Sequence, residues 1–397
     1  MITMEKQGLF KKFVEIFKVE DQVRLFFSPG RINLIGEHTD YNGGNVFPAA
    51  ITFGTYGVVR EREDHWVRLY SENFPDKGII EFSLDALEYD TAHNWANYPK
   101  GMIRYVQESI GTLPNGFDLL IHGNIPNGAG LSSSASIEML MGVILDEVYN
   151  LKIDRVELVK LGQKVENKFI GVNSGIMDQF AIGMGKENCG ILLDCQTLTY
   201  EYAPLNLENH KIIIMNTNKR RELADSKYNE RRAQCEEALC RLQAKLDIEA
   251  LGGLTEEQFE AHRELIGDEL LEKRAKHAVY ENARTIKALT ALKEGNLAYF
   301  GELMNASHTS LKDDYEVTGI ELDTLVSAAW NQEGTVGARM TGAGFGGCAI
   351  ALVDKNYVDL FIKEVGESYK ERMGYEATFY VASIGDGTKE LKGELIR

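Results

Sequence analysis

The sequence of 397 residues has little proline (7), cysteine (5) or tryptophan (3). It is also short of positive charge, with 43 lysines and arginines against 60 aspartates and glutamates for a net charge of −17. An acidic excess of this size argues against a nucleic-acid binder or a polybasic membrane protein, since both bring negative charge against negative charge. A small anion responds to the local field and is not excluded. Cys189, Cys195, Cys235, Cys240 and Cys348 are odd in number and form no Cys-x-x-Cys pair, the usage of a reduced, intracellular chain. No apolar run approaches the roughly 20 residues of a bilayer span, and the opening MITMEKQGLFKKFVEIF has no unbroken apolar segment of a signal peptide. Heptads, internal repeats and low-complexity tracts are missing too. What is present is balanced: 44% hydrophobic and 26% charged, which excludes a largely disordered chain. The expectation is an acidic, cytoplasmic enzyme of two or three domains.

Short apolar runs at 24–27, 55–60, 66–70, 79–82 and 117–121, punctuated by Gly, Pro and Asn, predict a strand-rich first stretch. The period then changes. Ile137, Leu140, Met141, Ile144, Leu145 and Val148 follow the spacing of a helix over 132–149, with further helices at 154–170 and 176–184. At the start, Leu9, Phe10, Phe13, Val14, Ile16 and Phe17 predict an amphipathic helix docked on the body. A buried strand is expected at 211–217 and a charged helical tract over 220–294. The last third mixes helices (297–311, 320–331, 356–372) with strands (348–353, 378–384). Blocks that do not alternate regularly indicate α+β rather than a doubly wound parallel sheet. A division near 198, after Asp194-Cys195-Gln196-Thr197, gives units 1–198 and 199–397.

Residues 117–138, FDLLIHGNIPNGAGLSSSASIE, run from a strand through a glycine-rich loop into the helix, opening it with Ser132, Ser133 and Ser134. A helix N-terminus presents free N–H groups and partial positive charge. Glycines let a phosphate approach the backbone, and the hydroxyls can cap the helix, bond a phosphate or ligate Mg²⁺. The Walker A pattern and the protein-kinase His-Arg-Asp and Asp-Phe-Gly triplets are absent. A second cluster, Thr341-Gly342-Ala343-Gly344-Phe345-Gly346-Gly347, fits G-x-G-x-x-G formally but leads into a strand instead of a helix. That disfavours a nicotinamide site and suits either a tight loop packed on a ligand or another backbone, or a plain structural turn. Residues 28–45, SPGRINLIGEHTDYNGGN, gather Arg31, Glu37, His38 and Asp40, a set suited to a polyhydroxylated ligand whose hydroxyls need paired acceptors. No second histidine sits at a helical or hairpin offset, so a metal is disfavoured there.

Four stretches taken together, 30–41 (GRINLIGEHTDY), 128–136 (GAGLSSSAS), 175–179 (GIMDQ) and 341–348 (TGAGFGGC), resemble the galactokinase family. That family lies in the superfamily that also holds homoserine, mevalonate and phosphomevalonate kinases. The phosphate loop marks only the superfamily, whereas Glu37-His38-Thr39-Asp40 singles out galactokinases, and the likeness runs from about 24 to about 385. It implies a two-domain α+β fold of mixed sheets flanked by helices, with the active site between the domains. It implies ATP and Mg²⁺ as cofactors and transfer of the γ-phosphoryl group to the anomeric hydroxyl of galactose. Asp178 is implied as catalytic base with Arg31 as its charged partner, and sugar contacts come from Glu37, His38, Thr39, Asp40 and Tyr228. Nucleotide contacts are implied for Ser71, Gly128, Ala129, Gly130, Leu131, Ser132, Ser133 and Ser134, and Mg²⁺ ligation for Ser134 and Glu166. The expected partners are small molecules, galactose and MgATP, with no nucleic acid and no membrane, for a monomer or weak oligomer. Two rivals remain: a kinase for a related sugar such as N-acetylgalactosamine, and a non-catalytic galactose sensor. The sensor fits less well, because Ser134-Ala135 and Asp178 are intact.

Overall fold

The computed structural model describes residues 2–126, 129–207, 209–219 and 224–393. In chain order come α1 (Ile2–Phe17), β1 (Arg24–Asn33), β2 (Asn45–Val46), β3 (Pro48–Glu61), β4 (Trp66–Ser71), β5 (Ile80–Ser83), α2 (Asn97–Ile110) and β6 (Phe117–Gly123). There follow α3 (Ser133–Tyr149), α4 (Arg155–Lys164), α5 (Met177–Met184), β7 (Cys189–Asp194), β8 (Tyr200–Pro204) and β9 (His210–Asn216). Then come α6 (Ala224–Gln243), α7 (Glu256–His262), α8 (Glu269–Lys293), α9 (Leu297–Asp313), α10 (Gly319–Trp330), β10 (Thr335–Thr341), β11 (Cys348–Asp354), α11 (Val358–Met373), β12 (Thr378–Ala382) and β13 (Lys389–Glu390).

Three sheets organise these elements. One has the order β13-β1-β3-β6-β4-β5, another β10-β11-β9-β12, and a small one β2-β7-β8. Every pairing is antiparallel except β4 with β6, so the expected α+β class holds. Helix α1 docks as its spacing predicts, with Leu9, Phe13 and Phe17 buried. Helix α3 buries Leu140, Met141, Ile144 and Leu145. In β9, consecutive residues 212–215 are all buried, because each face meets a separate apolar cluster. One of these clusters takes Ile32, Leu34 and Phe47 from the first part of the chain and Ile212, Ile350 and Phe300 from the second. A shared core therefore lies under the junction of the two halves.

Some elements escape the sequence reading. Helix α2 lies inside the stretch read as strands, and β10 goes unread. The polar run 194–198, near which the sequence reading places the division, forms the turn of the β7–β8 hairpin: Asp194 Oδ1 accepts from the N–H of Gln196 and Thr197 at 2.8 and 3.1 Å. A turn of Asp and Thr has a linker's composition while being locally ordered. The end of the chain returns to the first sheet as a strap. Thr52 N–H donates to Ser383 O, Gly385 N–H to Ala50 O, Thr388 N–H to Ile182 O and Leu391 N–H to Leu25 O, all at 2.8–3.1 Å. Among the described residues no helix is long and apolar enough to cross a membrane, and none of the five cysteines forms a disulfide.

Candidate active site

A cavity of about 680 Å³ opens where the loop after β1, the loop before α3, the start of α5, the start of α6 and the β10–β11 loop converge. Strand β1 reaches it by an irregularity: its pairing with β3 shifts between Pro29 and Arg31, and such a bulge re-aims the following side chain. Gly30 at this shift is a required glycine, since a Cβ there would lie 2.8 Å from Leu131 O. The close approach lets Arg31 N–H donate to Leu131 O at 3.2 Å and joins the strand to the glycine-rich loop.

Arg31 then grips Asp178, at the start of α5, with both arms of its fork. Nε donates to Oδ1 at 2.8 Å and Nη2 to Oδ2 at 2.9 Å, while Nη1 donates to Gly130 O at 2.8 Å. Burial disfavours the guanidinium charge, but Asp178 beside it outweighs that cost and the pKa is raised. The Ser132 hydroxyl donates to Asp178 Oδ2 as well. A bidentate pair fixes a carboxylate in plane as well as in place. The Asp178 side chain keeps 33% exposure toward the cavity.

Ser132 adopts φ +64 and makes no side-chain cap on α3. The bland alternative of a serine-capped helix start therefore fails at this position, and the hydroxyl is spent on the carboxylate. The Ser134 hydroxyl donates to Glu166 Oε1 at 2.6 Å. Glu166 stands in a π-helical turn that continues α4 over Val165–Ile170, a local widening often found at functional positions. Ala129, Gly130, Leu131, Ser132, Ser133 and Ser134 all line the cavity, whereas Gly128 lies outside the described residues.

Glu37, His38, Asp40 and Tyr228 line the cavity as well and make up its polar wall. Asp40 is pushed up to about 7 by burial and then by the nearby charge of Asp178. Its carboxylate presses on Gly175, where a Cβ would lie 1.7 Å from Oδ2. Glu37 is raised by burial, against the pull of Arg339 and Arg31, and its Oε1 accepts from Gly342 N–H at 2.7 Å. His38 has φ +60 and packs among Tyr41, Tyr228 and Tyr315 at centroid distances of 5.8, 5.5 and 4.9 Å. Burial, with His277 adding to it, lowers its pKa to about 3, so the ring is neutral. Its Nε2 faces Ala343 O at 3.1 Å and must carry the proton, which leaves Nδ1 to accept from Tyr41 OH at 2.7 Å. The ring nitrogens of His38 are thus already bonded within the protein.

Two expected contacts are not brought to the cavity. Thr39 is fully buried and donates to Gly36 O at 2.9 Å and to Asn45 O at 2.7 Å, so its hydroxyl braces the loop. Ser71, buried at the end of β4, accepts from Asn73 N–H at 3.2 Å and is absent from the lining. Conversely, the sequence reading missed Tyr98, Ser174 and Ser226 in the wall, although Ser174 directly precedes the stretch 175–179 and Ser226 stands two residues before Tyr228. The β10–β11 loop is a tight hairpin with Gly342, Gly344, Gly346 and Gly347 all at positive φ, and it bonds Glu37 and His38 as just described. The four stretches singled out in the sequence therefore meet around one cavity.

The arrangement offers a carboxylate held by an arginine, a helix start free of a side-chain cap, an oxygen pair fit for a hard cation and a wall of hydroxyl-bonding groups. That is the equipment of phosphoryl transfer to an alcohol. Comparison with known proteins agrees. Residues 11–61 match the galactokinase galactose-binding signature, 97–186 the GHMP kinases N terminal domain and 288–371 the GHMP kinases C terminal. The galactokinase of Ligilactobacillus salivarius is 63% identical over 98% of this chain and 100% of its own length. That of Clostridium beijerinckii is 59% identical over 98% and 100%. Among solved structures, Lactococcus lactis galactokinase complexed with galactose is 60% identical, with a TM-score of 0.95 over 97% of this chain and 99% of that one. The Methanococcus jannaschii mevalonate kinase, at 21% identity and a TM-score of 0.65 over 93% and 100%, shares the fold alone. With whole-length identity near 60% and the signature residues gathered at one cavity, this chain belongs to the galactokinase family.

Proposed function

We propose that the chain transfers the γ-phosphoryl group of ATP to the anomeric hydroxyl of galactose, giving galactose 1-phosphate and ADP. The observation that carries this reading is the bidentate Arg31–Asp178 pair standing between the hydroxyl-bonding wall and the start of α3.

Galactose lies against Glu37, Asp40 and Tyr228, with Asp178 accepting the proton of the attacking hydroxyl. Arg31 holds that carboxylate and offsets charge growing on the transferred group. The triphosphate meets the amides of the loop 128–134 and of the start of α3, which supply partial positive charge where the chain's net charge is negative. His38 acts through its place in the wall, its ring nitrogens being bonded to Tyr41 and Ala343. Thr39 supports the same loop from behind. Ser71 is proposed to meet a nucleotide that extends beyond the cavity lining.

The residues present fit Mg²⁺. A serine hydroxyl and a carboxylate already within 2.6 Å of each other beside the phosphate loop are hard oxygen donors, and this ion takes one or two such ligands with phosphate oxygens and water. Ser134 and Glu166 would hold it, and when bound it neutralises phosphate charge. The two units carry the nucleotide and sugar surfaces jointly, the division falling near the 198–199 hairpin turn. The setting we propose is the cytoplasm, for a monomer or weak oligomer.

Incubation with ATP and a panel of sugars, read by ADP release and phosphosugar formation, tests the reading. Galactose 1-phosphate is expected. Preference for N-acetylgalactosamine, or sugar binding without turnover, would overturn it.

A further inference from the structure

The loop over 34–39 is buried yet has neither helical nor strand pairing, so its backbone donors and acceptors must find partners elsewhere. Some are met nearby, Leu34 N–H donating to Phe47 O and Ile35 O accepting from Phe47 N–H at 3.0 Å, but Gly36 N–H and Glu37 O find theirs in the second half of the chain. Glu281 Oε1 accepts from Gly36 N–H at 2.9 Å. His277 Nε2 donates to Glu37 O at 3.0 Å, and Asn282 Oδ1 accepts from Asn45 N–H at 2.7 Å. All three partners lie on one face of α8. From β10, Arg339 Nη1 donates to Asn33 O at 2.8 Å and reaches Glu37 Oε1 at 3.4 Å, while its Nε donates to Ser307 Oγ at 3.1 Å.

Glu281 and Arg339 are both fully buried. Against the cost of burial, Arg284, His277, Arg339 and Ser307 hold Glu281 down to about 2, so it is charged. Two buried charges meeting loop groups form an expensive arrangement if stability alone were served. Apolar replacements of such pairs are often neutral or stabilising, whereas a fixed register is the better-attested use. Here the register concerns one cavity residue above all. Glu37 is held at its carbonyl by His277 and at its carboxylate by Arg339, while Gly36, directly before it, is held by Glu281.

We infer that Glu281 and Arg339 are positioning residues for the sugar wall, setting Glu37 and the following residues at the geometry galactose requires. The inference rests on the proposed sugar contact of Glu37. It predicts a selective effect, because the phosphate loop receives none of these bonds. Glu281→Gln keeps the shape and the acceptor for Gly36 N–H but removes the charge facing Arg339. It should raise the KM for galactose about tenfold, the scale expected when a binding group is displaced by a fraction of an ångström. The KM for ATP should stay within about twofold. Arg339→Lys should act in the same direction, and Asn282→Ala, which removes a neutral bond, by a smaller factor.

The experiment measures both KM values, kcat and thermal unfolding for Glu281→Gln, Arg339→Lys, Asn282→Ala and Glu37→Gln. A selective rise in galactose KM across the folded variants supports the inference. Lowered unfolding temperature with galactose KM unchanged would mean a structural role only and overturns it, as would an equal rise in both KM values. Should the buried-charge variants fail to fold, Asn282→Ala decides by the same criterion. Glu37→Gln separates the two levels: if it leaves galactose KM unchanged, the sugar-contact reading fails. If it raises galactose KM while the others do not, the positioning inference alone fails.

Discussion

The loop over 34–45 and the loop over 129–134 both line one cavity and are anchored by different means. The first draws on side chains from α8 and β10, more than two hundred residues later, two of them charged and buried. The second is held by near neighbours in space with simple chemistry: Arg31 N–H on Leu131 O, Arg31 Nη1 on Gly130 O, Ser132 on Asp178 and Ser134 on Glu166. The difference follows from the ligands proposed for each. Hydroxyl groups are told apart only by directed donors and acceptors, whose side chains need support from behind. A phosphate is satisfied by backbone amides at a helix start, which the helix itself aims.

The comparison breaks most severely at Asp178, which Arg31 of β1 and Ser132 of the second loop both hold. Asp178→Asn should lower kcat by about 10³-fold or more while calorimetry still detects galactose binding; near-normal turnover would remove Asp178 from the mechanism. Next, Gly175→Ala places a Cβ where Asp40 Oδ2 now lies. Displacing that carboxylate should raise galactose KM about 100-fold and leave ATP KM alone, as separate titration of the two substrates can show.

Asp40→Asn tests the cost of the sugar wall. The folded carboxyl titrates near 7 against 3.8 when unperturbed, burial being the main cause. Between those values the folded state holds more protons than the unfolded, so stability falls as pH rises through the window. Above pH 7 the whole penalty is present, and Asp40→Asn should stabilise the protein by about 2 kcal/mol there, roughly half the linkage limit because the cavity admits water. The gain should vanish near pH 4, and melting curves at both pH values check it. The smallest effect is local to the other loop: Ser134→Ala should raise the KM for MgATP about tenfold without moving galactose KM. Parallel loss of both affinities would mean that the loops are coupled rather than separately built.

How far the sequence discloses these two loops also differs. The phosphate loop is visible because glycines, serines and a helical period sit side by side in one segment, and α3 begins where that period begins. The sugar loop shows its own polar residues, Arg31, Glu37, His38 and Asp40, but not what holds them. His277, Glu281 and Asn282 lie in a tract whose Glu, Arg and Lys content reads as a solvated helix. One face of that helix instead meets a buried irregular loop in need of polar partners. Arg339 is hidden for a related reason, since a charged residue inside Thr335–Thr341 weakens the apolar signal of a strand. Thr39 shows the limit of motif reading: adjacency to Glu37 and Asp40 in sequence does not aim a hydroxyl into the same space.

The strap that returns from β12 to β1 has a mechanical consequence. Arg24 and Glu390, bonded across the joint at 2.7 Å, are separated by 366 positions, and β1 is the strand that aims Arg31. Strand β13 lies beside β1 on the side away from β3. An edge that would otherwise offer unpaired backbone groups to another chain is closed there by this chain's own residues.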